Sequence, residues 1–315
     1  MKKTFRILGA MALCAVMIPA VSSCGGDDDG DEPGNGGVVD VEGTRLTSIN
    51  GVRIVYDADG RMTQVGSPYG VKIDYSRGTI IVDDDDEEGT ADVRFNGHGY
   101  LSELSSSWDY TDDEDRYEYR YTGSGKVTFS YNGDGNLTKV VSESRETEKN
   151  LTTGGKEDYY GRTTITLTWR DGNLITAVEE GEERDDDGTE RWTDTYTYTY
   201  GNQSNKYFQM PISVSYPIAD DSAYEVLAAV GLFGKGPAML PDYMRESEVE
   251  DNGYTDNHSY NISFSLLGNG AIKTEDFGYY TYNYGYGSSS RSAGATTGKE
   301  IKKSTRDFFI RSHRK

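Results

Sequence analysis

The segment Tyr131–Val140, YNGDGNLTKV, decides the fold of this chain. An aromatic residue ends one predicted strand, a turn rich in Asn, Asp and Gly follows, and alternating apolar and polar residues begin the next strand. Asn, Asp and Gly are the residues that best accept the positive φ angles of tight hairpin turns. The segment therefore predicts two antiparallel strands joined by a short turn.

The same pattern occurs three more times and, more weakly, a fourth time. Each copy has an aromatic residue, a Gly-containing turn and an alternating strand, and the turn glycines are regularly spaced. The copies are Tyr56–Val65, Phe95–Leu104, Trp169–Leu174 and, most weakly, Phe264–Ile272. A repeated hairpin indicates an antiparallel meander, and the high Tyr and Gly content agrees with it.

The predicted fold class is all-β: an antiparallel meander of repeated hairpins that forms a strongly curled sheet or a partly open barrel. In Thr164–Trp169 apolar residues alternate with Thr, so one face of the sheet is apolar and the other polar. A membrane-spanning barrel needs an outward apolar band roughly 25 Å tall. The polar face is rich in Thr, Arg and Glu, so we expect a water-soluble sheet around an aromatic core, and not a pore.

Longer acidic loops are predicted at the rim opposite the short turns. They are Asp83–Gly89, Thr111–Asp115, Thr147–Asp158 and Glu183–Glu190. The segment Tyr117–Tyr131 is predicted as one long strand with a β-bulge near Thr122–Gly125, because a turn there would exchange the two rims.

One helix is predicted near residues 220–234. Acidic and hydroxyl residues begin the segment Asp220–Gly234, and Gly ends it. The segment is apolar on nearly all sides, so we expect a buried helix that closes one end of the curled sheet. Residues 287–315 are rich in Ser, Gly and Thr and then in basic residues, which predicts a disordered tail with a basic end that either stays solvated or folds back on the acidic loops.

The N-terminus has the composition of an export signal. Lys2, Lys3 and Arg6 precede an apolar run, Ile7–Val21, that is shorter than the ~20 residues of a spanning helix. The run ends in Val21–Cys24, VSSC, which resembles the lipobox of bacterial lipoproteins. The resemblance implies that Cys24 receives a diacylglyceryl group and becomes the first residue of the mature protein.

The chain is therefore divided into four predicted regions. Residues 1–23 are a lipoprotein signal peptide, 24–43 the lipidated Cys and a flexible acidic tether, 44–286 a single β domain, and 287–315 the tail. The acidic run in Gly25–Gly37 resembles the surface-export signal of Bacteroides-group lipoproteins. The resemblance implies an outer-membrane protein that is lipid-anchored and exposed on the cell surface.

Several motifs in this order resemble one Bacteroides-group lipoprotein family. They are the lipobox, the hairpins, Tyr196–Asn202, Gly231–Lys235 and Leu240-Pro241. The family is a domain of unknown function described as having a porin-like fold, and the resemblance spans roughly residues 44–286. It has no known catalytic residues, so the resemblance implies none here.

Composition excludes several chemistries. Of the two Cys residues, Cys14 leaves with the signal and Cys24 is lipidated, so thiol catalysis, disulfides and Cys-ligated zinc are excluded. The formal net charge of −21 repels nucleic acid. His98, His258 and His313 lie in no zinc or nucleophile motif, and we predict no catalytic residue and no cofactor.

Weak calcium binding is the one metal chemistry that the sequence indicates. Hard cations prefer clustered oxygen ligands, and the weak candidates are Asp83, Asp84, Asp85, Asp86, Glu87 and Glu88. Asn132, Asp134, Asn136 and Glu143 follow calcium-loop spacing, but Leu137 stands where that loop needs Gly. We therefore expect these residues to serve as turn residues.

The sequence predicts a lipid-anchored cell-envelope lipoprotein that is a surface-displayed binding or structural module. Its partners are the membrane, through Cys24, and a glycan, a surface protein or divalent ions. The alternative is a hydrolase that acts through a carboxylate pair on an extracellular polymer. Two buried, convergent carboxylates would favour that alternative.

Overall fold

The computed structural model describes residues 6–7, 40–41, 44–66, 70–84, 87–114, 117–218, 222–287 and 310–311. Within these ranges, side chains are described from residue 45 to 287, apart from 82–84, 87–89, 113–114 and 222–224. Cys24, the lipobox, most of the tether and most of the basic tail lie outside the described residues. The predicted processing and tail therefore stay predictions.

Strands make up most of the described chain. They are β1 (Arg6–Ile7), β2 (Asp40–Val41), β3 (Thr44–Ile49), β4 (Val52–Tyr56), β5 (Met62–Val65), β6 (Gly70–Asp74), β7 (Thr79–Asp84), β8 (Glu87–Phe95), β9 (Leu101–Glu114), β10 (Tyr117–Tyr131), β11 (Leu137–Asn150), β12 (Lys156–Arg170), β13 (Asn173–Asp185), β14 (Gly188–Ser204), β15 (Met239–Glu250), β16 (Thr255–Leu266), β17 (Ile272–Phe277), β18 (Tyr280–Gly287) and β19 (Ile310–Arg311). The helices are α1 (Ile212–Ser215) and α2 (Ser222–Ala229).

Sixteen antiparallel strands, β3 to β18, pair in chain order and close into a barrel within the described residues. Closure occurs at β18–β3, where Tyr284 pairs with Ile49 and Gly285 with Ser48. The all-β meander of hairpins is thus confirmed, and this ladder closes the curled sheet into a barrel. Strand β2 forms a hairpin with β3, and β1 pairs with β19 in a separate sheet.

The repeated turns are the predicted hairpins. Gly60, Gly99, Gly135 and Gly172 have φ angles of 83°, 76°, 86° and 75°. In the turn before β11, Gly135 N–H donates to Asn132 C=O and Asn132 N–H to Asn136 C=O. A Gly of positive φ at this position ends a type I turn with a β-bulge.

The bulge predicted near Thr122–Gly125 is wrong, although the single long strand β10 is confirmed. Pairing with β9 and β11 is regular through that segment, and the register shifts at Ser130/Tyr131, next to the turn. Equivalent shifts precede the turns after β4, β8, β12 and β16. The turn itself therefore causes the bulge.

The inner and outer faces of the barrel differ in chemistry. On β12, Ile165 and Leu167 point inward and are buried, whereas Thr166 and Thr168 are exposed. On β16 the residues on the face opposite buried Ile262 are Thr, Asn and Ser: Thr255, Asn257, Ser259, Asn261, Ser263 and Ser265. The described outer face of the long strands is therefore mainly hydroxyl-bearing and charged.

The wall of the barrel has unequal height. Strands β9 to β16 have 12 to 17 residues, and β4 to β7 have four to six. At about 3.3 Å per residue these lengths correspond to about 40–55 Å and 13–20 Å. All strands begin or end at the rim of short turns. The longer strands β9 to β16 therefore extend further than β4 to β7 toward the acidic connections at the opposite end.

The segment between β14 and β15, described at residues 205–218 and 222–238, forms a plug inside the barrel at the short-turn rim. Its backbone bonds to the turns: Leu101 N–H donates to Leu232 C=O, Lys235 N–H to Gly135 C=O and Ala238 N–H to Gly172 C=O. Phe233 is 0% exposed, and its ring lies 5.4 Å from that of Phe129. The predicted buried segment that closes one end is therefore present.

The predicted helix is shorter than expected. Helix α2 ends at Ala229, because the chain turns at Gly231, which has a φ of 88°. The four-residue α1 was not predicted, since one helical turn has no detectable periodicity. Among the described residues, no helix combines the length and apolar character needed to cross a membrane.

Candidate functional site

A row of outward side chains crosses strands β10 to β13. Ser124 pairs with Arg145, Arg145 with Tyr160, and Tyr160 with Arg184. By the alternation along each strand, all four lie on the face opposite the buried residues of that strand, so they share the outer face. Neighbouring strands lie about 4.8 Å apart, so the row is about 14 Å long.

This row forms the floor of a groove of about 790 Å³ at the long-loop end of the barrel. The volume lies within the range of binding sites for small molecules. The lining combines hydroxyl, guanidinium, carboxylate and phenol groups: Thr122, Gly123, Ser124, Arg145, Glu146, Thr147, Asp158, Tyr159, Tyr160, Glu182, Arg184, Asp185 and Asp186.

Tyr160 stands between two arginines. The guanidinium carbons of Arg145 and Arg184 lie 5.8 Å and 5.9 Å from its ring centroid. A guanidinium near an aromatic face is attracted by the ring quadrupole. The two contacts hold the ring in place and position two sets of N–H donors beside it.

Two of the carboxylates that line the groove have cationic partners. Asp158 accepts hydrogen bonds from Lys156 Nζ and Thr147 Oγ1, and these lower its pKa. Glu182 lies 2.9 Å from Arg191 Nη2 and 3.0 Å from Arg184 Nη2, and these contacts lower its pKa.

Two tryptophans on the inner wall each lie against a strand glycine. The indole of Trp108 covers Gly123 and donates to Glu146 Oε2 at 2.8 Å. The indole of Trp192 covers Gly181 and donates at 3.3 Å to an oxygen of Glu179. In both places the indole N–H holds the position of an inward carboxylate, that of Glu146 and that of Glu179.

Four inward carboxylates also follow one another across β13 to β16. Glu179 pairs with Asp194, Asp194 with Glu248, and Glu248 with Asp256. Asp194 is 3% exposed, and burial raises the pKa of nearby Glu246 despite hydrogen bonds from Tyr260 and Tyr196. Among the described residues, no three acidic or His side chains converge in a way that could hold a metal ion.

A further buried carboxylate joins the plug to the wall. Glu275 is 0% exposed and accepts Ile212 N–H at 2.9 Å, Ser213 N–H at 2.8 Å and Tyr284 Oη–H at 2.6 Å. Burial raises its pKa, and these hydrogen bonds offset part of that increase. The contacts are structural, because they bind α1 to β17 and β18.

The weak calcium candidates are only partly described. The backbones of Asp83 and Asp84 pair with Glu88 and Glu87 across β7 and β8, while Asp85 and Asp86 lie outside the described residues. This hairpin is at the long-loop rim, together with the turn at Asp185–Gly188. Since the side chains of all six are not described, the calcium site stays a prediction.

Residues 132–136 act as turn residues, as expected. Asn132 Oδ1 accepts the N–H groups of Asp134 at 3.1 Å and Asn136 at 2.9 Å. Asn136 Nδ2 donates to Lys235 C=O at 3.1 Å, which joins this turn to the plug. His98 is exposed in the turn before β9, and His258 lies 3.1 Å from Asp256 on β16. His313 lies outside the described residues.

Sequence reasoning missed the groove. Arg145, Tyr160 and Arg184 come from three strands and have no shared motif. Their alternation on the outer face was predictable, but their juxtaposition depends on the register of three strands, which the sequence does not specify. The longer acidic loops predicted at 147–158 and 183–190 are wrong, because strand pairing continues through most of each segment and leaves turns at 151–155 and 186–187.

No protein-family model and no curated protein matches the chain. Among solved structures, the chain is similar to a porin-like protein from Bacteroides uniformis, with 12% sequence identity and a TM-score of 0.25. The match covers 70% of this chain and 98% of that one.

Proposed function

We propose that this protein is a lipid-anchored protein of the outer membrane, displayed on the cell surface, whose outer groove binds a glycan. The anchor is proposed from the lipobox Val21–Cys24 and the acidic tether that follows it. The glycan is proposed from the groove on β10 to β13. The two parts are independent, and each has its own test.

The single observation that supports glycan binding is the composition of the groove. Hydroxyl groups of Thr122, Ser124 and Thr147 both donate and accept hydrogen bonds, as sugar hydroxyls do. Tyr160 adds an aromatic ring held between two guanidinium groups. Such a surface offers a polyhydroxylated ligand donors, acceptors and an apolar edge within one groove.

The polar outer face supports display in water. Long strands present Thr, Ser, Asn and charged residues outward, whereas a membrane-spanning barrel requires an apolar band. This polarity supports the proposal that the barrel lies outside the bilayer, held by Cys24 and the tether of residues 24–43.

The anchor is tested by metabolic labelling. Cells given labelled palmitate should label the wild-type protein and leave Cys24→Ala unlabelled, since the thiol is the acceptor. Equal labelling of both proteins would remove the lipoprotein assignment.

Glycan binding is tested on an array of bacterial and host glycans with the full chain. Tyr160→Ala should lower retention of any bound glycan about tenfold, because the ring and the positioned arginines are lost together. Tyr243→Ala is the matched control, since Tyr243 also lies on the outer face but on β15, away from the groove. Equal binding by both variants would place the site elsewhere.

A second candidate function is a hydrolase on the inner wall. Glu246 has a raised pKa, and Asp194 lies buried on the neighbouring strand. Glycoside hydrolysis uses one carboxyl group that stays protonated and one that is ionised. Release of reducing ends from a bound polysaccharide, lost in Glu246→Gln, would support it; release that is unchanged in this variant would remove it.

A further inference from the structure

We propose that the basic C-terminal segment of this chain, residues 299–315, docks on the inner face of the tall half of the barrel, strands β9 to β16. The proposal is independent of glycan binding, which concerns the outer face. It rests on the segregation of charge between the two faces of these strands, on a row of tyrosine rings, and on the composition and reach of the C-terminal segment.

Acidic and basic side chains are distributed unequally between the two faces of the tall half. Its lysines and arginines alternate with the inward residues and are exposed on the outer face, as Arg120, Lys149 and Arg191 are. Every strand from β11 to β16 has an inward carboxylate; one from each is Glu146, Glu157, Glu179, Asp194, Glu248 and Asp256. Among the described residues of this inner face, His258 is the one basic side chain. The face is therefore negative, and its charge complements a cationic partner.

The register of the strands places inward carboxylates directly opposite one another. The opposed pairs are Glu148–Glu157, Glu183–Glu190 and Glu248–Asp256. Like charges that face each other across neighbouring strands destabilise a sheet. A cationic segment lying across the strands would reduce this repulsion, so docking would also stabilise the tall half.

A row of tyrosine rings leads along the inner face of β9 and β10 from the core to the rim. The rings of Tyr110 and Tyr121 stack at 5.1 Å, and Tyr119 lies 6.3 Å from Tyr121 and 6.2 Å from Tyr117. Tyr121 is 2% exposed and Tyr117 45%, so the row passes from the core to accessible surface. Glu148 pairs with Tyr121 at the edge of the acidic strands. Aromatic rings and carboxylates side by side can bind apolar rings and cations together.

The C-terminal segment has the composition that this face would bind. Residues 299–315 contain seven Lys or Arg and two acidic residues. Within them lies the apolar run Phe308, Phe309 and Ile310, with Arg306 and Arg311 on either side. Segments that remain solvated have few large apolar residues. On the inner face the two Phe rings would pack on the tyrosine row while the flanking bases meet the carboxylates.

The chain between the barrel and this segment is long enough to reach the inner face. Strand β18 ends at Gly287, which pairs with Arg45 beside the short turn at Gly60. The wall at this point is low, because β18 has eight residues and β3 has six, or about 26 Å and 20 Å. The eleven residues 288–298 span about 36 Å when extended, and they are mostly Ser, Gly, Ala and Thr. They can therefore cross the low wall and bring residues 299–315 to the tall half opposite.

The described part of the segment has an extended backbone. Ile310 and Arg311 form β19 and pair with Ile7 and Arg6 of β1. Both partners belong to the predicted signal peptide, so its removal would leave β19 without this pairing in the mature chain. The mature protein would thus retain an apolar, basic segment for which the inner face is the complementary surface.

Calorimetric titration of the purified mature chain in detergent tests the proposal, with a synthetic peptide of residues 299–315 as the probe. In the wild type the tethered segment should occupy the face and compete at a millimolar effective concentration. In the full-chain double variant Phe308→Ala with Phe309→Ala, the anchor is lost. The peptide should therefore bind this variant at least about tenfold more tightly than it binds the wild type. A chain that ends at Gly298 should bind the peptide as tightly as the variant does.

Two comparisons assign the binding to the apolar run and to the inner face. A peptide with the same two Phe→Ala changes keeps every charge and should bind the chain that ends at Gly298 at least about tenfold more weakly. In that chain, Glu148→Gln with Glu183→Gln should weaken binding of the intact peptide about fivefold. Glu118→Gln with Glu180→Gln makes the same charge change on the outer face and should leave binding unchanged. Circular dichroism should show the same fold for all these proteins.

Each contrary outcome overturns the proposal in a recognisable way. Equal binding of the peptide to the wild type and the Phe variant, or binding to neither, would show that the tethered segment does not occupy the face. Equal binding of the two peptides would show charge attraction alone. If sedimentation shows that the wild type associates and the Phe variant is a monomer, the segment docks on a neighbouring molecule instead. Tyr160→Ala should leave peptide binding unchanged, because Tyr160 is on the outer face.

Discussion

Gly123 and Gly181 occupy strand positions where a larger residue has no room. A Cβ atom at either position would lie well inside 3.0 Å of an indole ring, that of Trp108 or of Trp192. Gly normally weakens a strand, so its presence here reflects close approach of a neighbouring group. The absent side chain lets each indole lie flat on the backbone and reach its carboxylate.

Substitution of these glycines should destabilise the barrel. Gly123→Ala forces the Trp108 ring away from the hydrogen bond to Glu146, and overpacking of this kind costs about 1–3 kcal/mol. Gly133→Ala is the control, since nothing lies within 4 Å of a Cβ there. Urea unfolding should show a clear loss for Gly123→Ala and little change for Gly133→Ala; equal stability of the two would mean that the indole moves without cost.

The raised pKa of Glu275 predicts the direction in which the stability of the fold changes with pH. Burial raises its pKa in the folded state, so folding favours the protonated form. This contribution to stability is fully present below the unfolded-state pKa of about 4.3 and is lost as pH rises through the raised folded-state pKa. The melting temperature of the wild type, measured relative to that of Glu275→Gln, should therefore be higher at low pH than at neutral pH. A difference that grows with rising pH would contradict the direction of the shift.

The sequence could indicate some of these residues and not others. Gly60 and Gly135 were predictable, because a positive φ in a tight turn is a local requirement that Asn, Asp and Gly reveal. Gly123 and Gly181 were not, because their requirement comes from a tryptophan on an adjacent strand. Glu275 was equally hidden, since its partners Ile212 and Ser213 are distant in sequence.

Among the elements, the hairpins could be predicted from short segments of sequence, whereas the contacts of the plug could not. Each hairpin contains its own turn residues, so its strands could be predicted from one short segment. The plug was recognisable as a buried segment, but its early helix end at Ala229 and its contacts with the short turns depend on distant strands. The groove needs the register of β10 to β13 and was not predictable for the same reason.

Packing of the plug should contribute measurably to stability. Phe233→Ala removes a fully buried ring that stacks on Phe129, and such a change costs about 3–5 kcal/mol. Phe208→Ala, in the same segment but at a ring that is 47% exposed, should cost far less. Chemical denaturation of both variants measures the difference. Similar losses for both would show that the plug contributes little packing energy to the barrel.

For the whole molecule, the acidic loops converge on one rim. The hairpins β7–β8, β9–β10 and β13–β14 all turn there. Like charges within a Debye length of about 10 Å at 0.1 M salt repel each other and weaken the folded state. A divalent cation that binds loosely among them would stabilise the fold by mass action.

Millimolar calcium should therefore raise the melting temperature more than sodium chloride of matched ionic strength. Replacement of Asp83, Asp84, Asp85 and Asp86 by Asn should raise the melting temperature without calcium and reduce the response to it. Asp134→Asn, at the opposite rim, is the control and should leave the response unchanged. Equal shifts with calcium and sodium chloride would show screening alone and remove the predicted calcium binding.

The ladder between β18 and β3 has a consequence for the folding of the newly made chain. Every other ladder of the barrel joins strands that are adjacent in sequence and can form as they arrive, but this one joins Gly285 to Ser48. Long-range pairing is slow because a large loop must close first. Until then β3 and β18 are unpaired edges, which are the positions where one chain can add to another. Correct closure at high protein concentration therefore depends on how quickly the two ends of one molecule meet, compared with how often they meet those of a neighbour.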